Sequence, residues 1–425
     1  MIPRPAHLWI RLSLMAVLPA AADAKELAPM TAKQETEFVA ALDARIEKNR
    51  TSDATVRVVG ADGKPIAGAA VAVEQTRHAF LFGCNIYMFD RYKTARENAA
   101  YKKRFAELFN YATVGFYWRG YEPKKGKPNY AYTDKVVAWC RARGIGMKGH
   151  PLLWGHRAGV PVWSKGQPDA ETQRKRVTDI LRRYDGKIEF WEVVNEASHI
   201  REPRIDPPYR WARKADPNAY LIVNDYYVMA NGYPPFHALL KKALADGVPF
   251  DGIGIQAHEP RTKRFPLPYV WGVLDKYAAL GKELHITEFT PCSAGQRITG
   301  SHLRGTWDEK AQADYAVKFY KTCFAHPAVM AVTWWDLCDV GSWLKGGGMV
   351  RADLSPKPVY AALWKLIHKD WRTKLRGRTD AAGRYRFRGF QGTYAVTVKK
   401  ADTTATAARR LAKGAPNAWV VKLTP

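Results

Sequence analysis

Cysteine is scarce in this chain. Five residues in 425, Cys84, Cys140, Cys292, Cys323 and Cys338, stand far apart. That is too few and too scattered for a disulfide framework or a zinc site, and an odd number leaves at least one unpaired. Acid is scarce relative to base. Forty Asp and Glu against 67 Lys and Arg give a formal net charge of +27. Such a surface attracts nucleic acid, anionic lipid or acidic polysaccharide. No zinc-finger or RNA-recognition pattern accompanies the charge, so nucleic acid is not expected as a partner. Long apolar runs are missing too. A membrane-spanning helix needs roughly 20 apolar residues, and no run here is that long. A glycine-rich dinucleotide loop is also lacking: "GGG" at 346–348 follows no strand of the kind such a loop requires. No metal and no organic cofactor is expected.

What is present is an ordinary globular composition in a chain too long for one typical domain. The start reads as an export signal over residues 1–24. Arg4 and Arg11 precede the short apolar stretch "LSLMAVLPAAA", and Ala22–Ala24 suit a small-residue cleavage site. The mature protein is therefore expected to be secreted or periplasmic. Within residues 25–53, "TAKQETEFVAALDARIEKNR" predicts an amphipathic helix capped by Thr31. Residues 54–77 carry two alternating runs around "GADGKPIAG" and predict a β-hairpin.

From residue 78 to 370 short apolar runs alternate with helical stretches. The strands are expected at 80–87, 112–117, 147–154, 190–196, 219–226, 252–258, 283–289 and 331–337. Near-continuous apolar runs suit a sheet covered by helices. Eight strand–helix units over about 290 residues match a closed (β/α)8 TIM barrel, with an open doubly wound sheet as the runner-up. Residues 371–425 return to alternation in "GRYRFRGF", "GTYAVTVKK" and "NAWVVKLT". A lone hairpin is marginal, so these strands are expected to join the N-terminal pair in a small accessory β-sandwich. Two unrelated appendages are the alternative.

In such a barrel, functional groups stand where strands end. "WEVVNEASH" ends a core strand in an amide and a carboxylate, Asn195 and Glu196. Other strand ends carry His150 and Trp154, Asn224, Asp225 and Tyr226, Gln256 and His258, Glu288, and Trp335. Glu196 and Glu288 would face one cavity from opposite sides. Two such carboxyls are the equipment of glycoside hydrolysis, and about 5–5.5 Å between them implies retention. Trp154, Trp334, Trp335 and Trp343 fall near the expected mouth, where rings stack on sugars. A single tryptophan is otherwise core packing, and a single glutamate otherwise a salt bridge. On an ideal strand Glu192 shares a side with Glu196 and would lie buried beneath it, needing a partner.

"GHPLLWGH", "WEVVNEA", "VNDYY", "GIGIQAH", "ITEFT" and "TWWDLCDVGSW", in that order, resemble glycoside hydrolase family 10, which contains endo-β-1,4-xylanases. The resemblance implies a retaining double displacement with Glu196 as general acid/base and Glu288 as nucleophile. It also implies that Asn195 binds the sugar 2-hydroxyl and that His258 bonds the nucleophile. His150 and Trp154 would line the cleaved sugar's site, with Trp335 and Trp343 over it. Tyr226 and Gln256 join the substrate-binding set. The implied partner is a polysaccharide, xylan or a related plant or algal polymer.

The second barrel strand departs from the family. Many xylanases carry an "ENEMKW"-like segment there that binds the next sugar. This chain has "FNYATVGFYWRGYEP", with Tyr117 where lysine is expected. Another β-linked polymer, or one decorated with uronic acids, is therefore open. The basic segments "GHRAGVPVW" and "HIREPRIDPPYRW" near the mouth suit such acidic groups, or are ordinary solvated loops. Cys292 and Cys338 follow neighbouring strands, where a disulfide would suit an oxidising exterior. Two other classes compete: a carbohydrate-binding barrel without turnover, and a basic protein whose sandwich docks on an anionic polymer or cell envelope. The basic excess otherwise reads as a solvated face. Nothing in the sequence sets an oligomeric state.

Overall fold

A computed structural model describes residues 31–199, 205–258 and 263–424, so the export segment expected at 1–24 lies outside the described residues. Eight parallel strands close a barrel. In chain order after two strands of the small domain, β1 (Thr51–Val59) and β2 (Ala70–His78), come β3 (Leu81–Asn85), β4 (Tyr111–Gly115) and β5 (Gly146–His150). They are followed by the two-residue β6 (Leu153–Trp154), β7 (Phe190–Asn195), β8 (Tyr220–Asp225), β9 (Gly252–Ile255), β10 (Glu283–Phe289) and β11 (Val329–Trp334). Pairing runs β5-β4-β3-β11-β10-β9-β8-β7, and β5 also pairs with β7, which closes the ring. Each strand leads to a helix, from Ala95–Leu108 through Pro358–Lys365. The helices start where short polar side chains can hold free N–H groups. Thr94 and Glu97 form a reciprocal cap for the first, and Asp169 and Asp308 cap two more. Burial of the strands on both faces explains why they read as apolar runs.

Five later strands, β12 (Lys374–Arg378), β13 (Arg384–Phe390), β14 (Gly392–Lys400), β15 (Thr403–Leu411) and β16 (Ala418–Lys422), complete a sandwich with β1 and β2. The sheets are β13-β1-β16 and β12-β2-β14-β15. The N-terminal pair expected as a hairpin is not one: β1 and β2 lie in different sheets and pair with C-terminal strands. Period-two alternation specifies a strand with one buried face but not its partner. Val56 and Val58 face Val71 and Val73 across the shared core with Phe387, Tyr394 and Trp419. The ten-residue connection is longer than the two to five residues of common hairpin loops, enough to cross between sheets.

The helix α1 (Ala32–Arg50), capped reciprocally by Thr31 and Gln34, and the sandwich hold the barrel at the N-terminal ends of its strands. Arg50 is buried and donates to the carbonyls of Phe324 (2.5 Å), His326 (2.6 Å) and Val329 (2.6 Å), the last being the first residue of β11. His78, Phe82, Phe324, Trp371 and Phe390 stack between the two bodies. The sandwich therefore sits at the opposite end of the barrel from the strand C-termini.

Candidate active site

Consecutive residues of an ideal strand point to opposite faces. Asn195 and Glu196 nevertheless share the cavity, for a local reason. The β7–β8 register shifts between Glu192 and Asn195, and Glu196 itself is left-handed at φ 57°. A glutamate in that region is strained by about 1–3 kcal/mol, a cost tolerated where geometry matters. The result brings Asn195 Nδ2 to 3.2 Å from Glu196 Oε1. Glu196 also accepts from Trp154 Nε1 (2.7 Å) and Gln256 Nε2 (3.0 Å).

Glu288 lies deeper and is buried. It accepts from Asn224 Nδ2 (3.1 Å) and meets His258 Nε2 at 2.8 Å. Asn224 Nδ2 also reaches Asn195 Oδ1 at 3.0 Å. The two carboxyls are thus joined through two amides, Glu196–Asn195–Asn224–Glu288. Asn224 fits there because β9 carries glycine opposite it: a Cβ on Gly254 would stand 2.6 Å from Asn224 Oδ1. His258 Nδ1 is held by Thr290 Oγ1 at 2.9 Å. The Thr290 hydroxyl donates to the Glu288 backbone carbonyl at 3.1 Å, so its oxygen accepts from His258 Nδ1–H.

Beneath the pair, Glu192 is fully buried between Lys148 and His150, ion-paired to the first and hydrogen-bonded to Nδ1 of the second. This is the partner its position demands. Burial opposes ionisation of Glu192, but these two neighbours hold its carboxyl well below the usual range. His150, Glu192 and Glu288 offer ligand atoms within 4.8 Å of one another, a cluster able to hold a metal ion. The Lys148 ammonium already supplies positive charge there.

Burial pushes Glu196 up to about 7. Hydrogen bonds from Gln256 and Trp154 oppose the rise, while charge on Glu288 and Asp225 reinforces it. Burial raises Glu288 to about 7 as well, with His150 and Lys148 drawing it down and Glu192 pushing it up. The carboxyls titrate as a pair. His150, Lys148 and the Glu192 carboxylate all act on Glu288, whereas Glu196 feels Glu288 and Asp225. Charge on Glu288 favours the protonated form of Glu196.

Aromatic rings wall the cavity. Trp335 packs edge-on against His150 (5.4 Å), His258 (6.0 Å) and Tyr87 (5.4 Å), and Trp343 lies 4.5 Å from His258. Tyr117 stands beside His150 and Trp154. Tyr226 stacks on His199 at 3.6 Å, farther out along the rim, with its hydroxyl in the field of Glu196. Trp334 does not belong to the mouth. It is fully buried outside the barrel wall against Phe289 and donates to Gly347 O at 2.9 Å. Adjacent strand residues point apart, so only Trp335 remains on the cavity side.

Lys148, Thr290 and Asp336 were not among the expected site residues, and Asn224 was expected only as a strand-end polar group with no role of its own. Lys148 had a signal, a lysine inside an apolar strand two residues before His150 and hence on its face. Asp336, left-handed at φ 69°, accepts from Asn85 Nδ2 and from the backbone N–H of Trp343, fixing the loop that presents that ring. No short-range pattern marks it. The disulfide expected between Cys292 and Cys338 is not formed, and all five cysteines are buried. Cys338 instead hydrogen-bonds the backbone of its own loop, at Val340 N and Arg351 O.

Fold and site together define a glycoside-hydrolase barrel. The family model described as "Glycosyl hydrolase family 10" matches residues 74–366, and the chain belongs to that family. Endo-1,4-beta-xylanase 1 of Arabidopsis thaliana is 28% identical over 378 residues, covering 84% of this chain and 37% of that protein. An anti-sigma-I factor of Acetivibrio thermocellus is 29% identical over 367 residues, covering 83% of this chain and 46% of that protein. The chain thus spans less than half the length of these curated relatives. Xylanase 10B of Thermotoga maritima superposes with a TM-score of 0.58 at 25% identity, over 69% of this chain and 96% of that structure. Among the described residues no helix is long and apolar enough to cross a membrane.

Proposed function

We propose that the protein is an exported retaining glycoside hydrolase that cleaves β-1,4-linked xylan or a related polysaccharide. The observation that carries this reading is the pair Glu196 and Glu288, joined by the Asn195–Asn224 bridge. Glu196, protonated, gives its proton to the glycosidic oxygen as the bond to the anomeric carbon breaks. Glu288, ionised, attacks that carbon and forms an ester, with its carboxylate oriented by His258 and Asn224. Esterification removes the Glu288 charge that helps hold the Glu196 proton. Glu196 then takes a proton from water, which hydrolyses the ester. Asn195 is set to bind the sugar 2-hydroxyl. His150, Trp154, Gln256, Tyr226, Trp335 and Trp343 line the groove. Trp154 holds Glu196 and also presents its ring, which packs at 4.4 Å on His156. His156 and Arg157 on that loop suit a substrate decorated with uronic acids. The export reading rests on the signal-like segment 1–24.

One relative carries the name of an anti-sigma factor, so turnover itself must be measured. Purified protein is expected to release reducing sugars from xylan. Glu288→Ala is expected to lose about 10³-fold or more, with azide restoring turnover as a glycosyl azide of inverted configuration. Polysaccharide binding without cleavage by the wild type, unchanged in Glu196→Gln, would overturn the assignment.

A further inference from the structure

The segment 371–425 carries thirteen Lys and Arg against two Asp and Glu. Their placement is uneven. On the outer face of the sheet β13-β1-β16, Arg384, Arg386 and Arg388 project from one strand and Arg57 from the next, with Lys422 at the end of the third. Some of these charges are matched. Arg388 pairs with Glu47 (2.5 Å) and Asp53 (3.0 Å), and Arg386 reaches Asp380 at 3.4 Å. Asp380 also accepts from the backbone N–H of Arg384. At the other end of the face the matching stops. Arg57 and Arg384 are direct cross-strand partners, and among the described residues no carboxylate pairs with Arg57, Arg384 or Lys422. Like charges directly opposite each other destabilise a sheet.

On the other side of Arg57, in the same row, lies Val420. It is 53% exposed, one of three large apolar side chains the described surface leaves so open. Arg409 approaches it from the second sheet and donates to its carbonyl at 2.6 Å. The row Val420–Arg57–Arg384 is therefore a strip with an apolar contact at one end and two unmatched guanidinium forks at the other.

We propose that this strip is a non-catalytic binding site for a polysaccharide bearing uronic-acid carboxylates. Arginine forks bind planar carboxylates bidentately. The exposed Val420 offers a surface for the C–H face of a sugar ring, and the row across three strands is long enough to meet more than one residue of an extended chain. One isolated valine is too little apolar surface to insert into a bilayer. The strip belongs to the sandwich, at the end of the barrel away from Glu196 and Glu288. Polymer held there is not the segment in the cleft, so the site tethers the protein and leaves the mouth free. The proposal stands whether or not the barrel cleaves xylan.

The test uses the full-length protein and polygalacturonate, an α-linked polyuronate unsuited to a cleft for β-linked chains. Affinity electrophoresis and calorimetry at about 20 mM salt are expected to show binding that weakens steeply toward about 200 mM. The double variant Arg57→Ser/Arg384→Ser is expected to bind at least about tenfold more weakly, with hydrolysis of a small aryl glycoside unchanged. Its thermal midpoint should hold or rise, because the opposed charges are gone. The Arg57→Lys/Arg384→Lys pair, which keeps charge but loses the forks, is expected to fall between. Equal binding by wild type and the serine variant would overturn the site. So would no binding to polygalacturonate, or retention by phosphatidylglycerol vesicles or duplex DNA as strong as by polygalacturonate.

Discussion

At the scale of single residues, the site trades stability for chemistry. Glu196 has its carboxyl raised from 4.5 to about 7 by burial. The folded state thus binds more protons than the unfolded state between those values. Stability from this group is greatest below pH 4.5 and falls as pH rises toward 7. Glu196→Gln is expected to abolish hydrolysis while raising stability by ~2 kcal/mol at pH 8 and by almost nothing at pH 4, read by denaturant unfolding at the two values. The same shift places the alkaline limb of kcat/KM near pH 7, because an ionised Glu196 has no proton to give. Lys148 presents the opposite case. Lys148→Met leaves Glu192 buried without its cation and is expected to cost about 3–5 kcal/mol, much of it recovered by adding Glu192→Gln. Both glutamates were legible in sequence because strand-end carboxylates are conspicuous. Thr290 and Asp336 were not legible as parts of the site. Each matters through a neighbour on another strand or loop, a relation that no window of sequence contains.

At the scale of elements, the barrel strands were readable because burial on two sides leaves an unbroken apolar run. Only their ends shift, as where the run expected at 252–258 yields a strand over Gly252–Ile255 and leaves Gln256 and His258 in the loop that uses them. The β1–β2 pair shows the opposite limit. Alternation fixed which face of each strand is buried and left open whether the two face or flank each other. Gly254 joins an element to the site. Gly254→Ala is expected to displace Asn224 and to lower kcat with a stability loss of about 1–3 kcal/mol, measured by steady-state kinetics alongside thermal unfolding. Arg50 joins α1 to β11. Arg50→Met would leave three carbonyls without their shared donor and is expected to destabilise the barrel by about 2–4 kcal/mol with little change in KM.

At the scale of the whole molecule, the small domain cannot be removed from one end. Deleting residues 371–425 strips both flanking strands from β1 and the partners β12 and β14 from β2, exposing two unpaired strands with their valines. Such a chain is expected to aggregate, and deleting β1 and β2 as well is expected to recover more soluble protein, as read by size-exclusion chromatography. The same topology governs the order in which the molecule is made. Arg57 meets Arg384 only after about 330 further residues have left the ribosome. The strands synthesised first thus wait for the last ones, with the whole barrel folded in between.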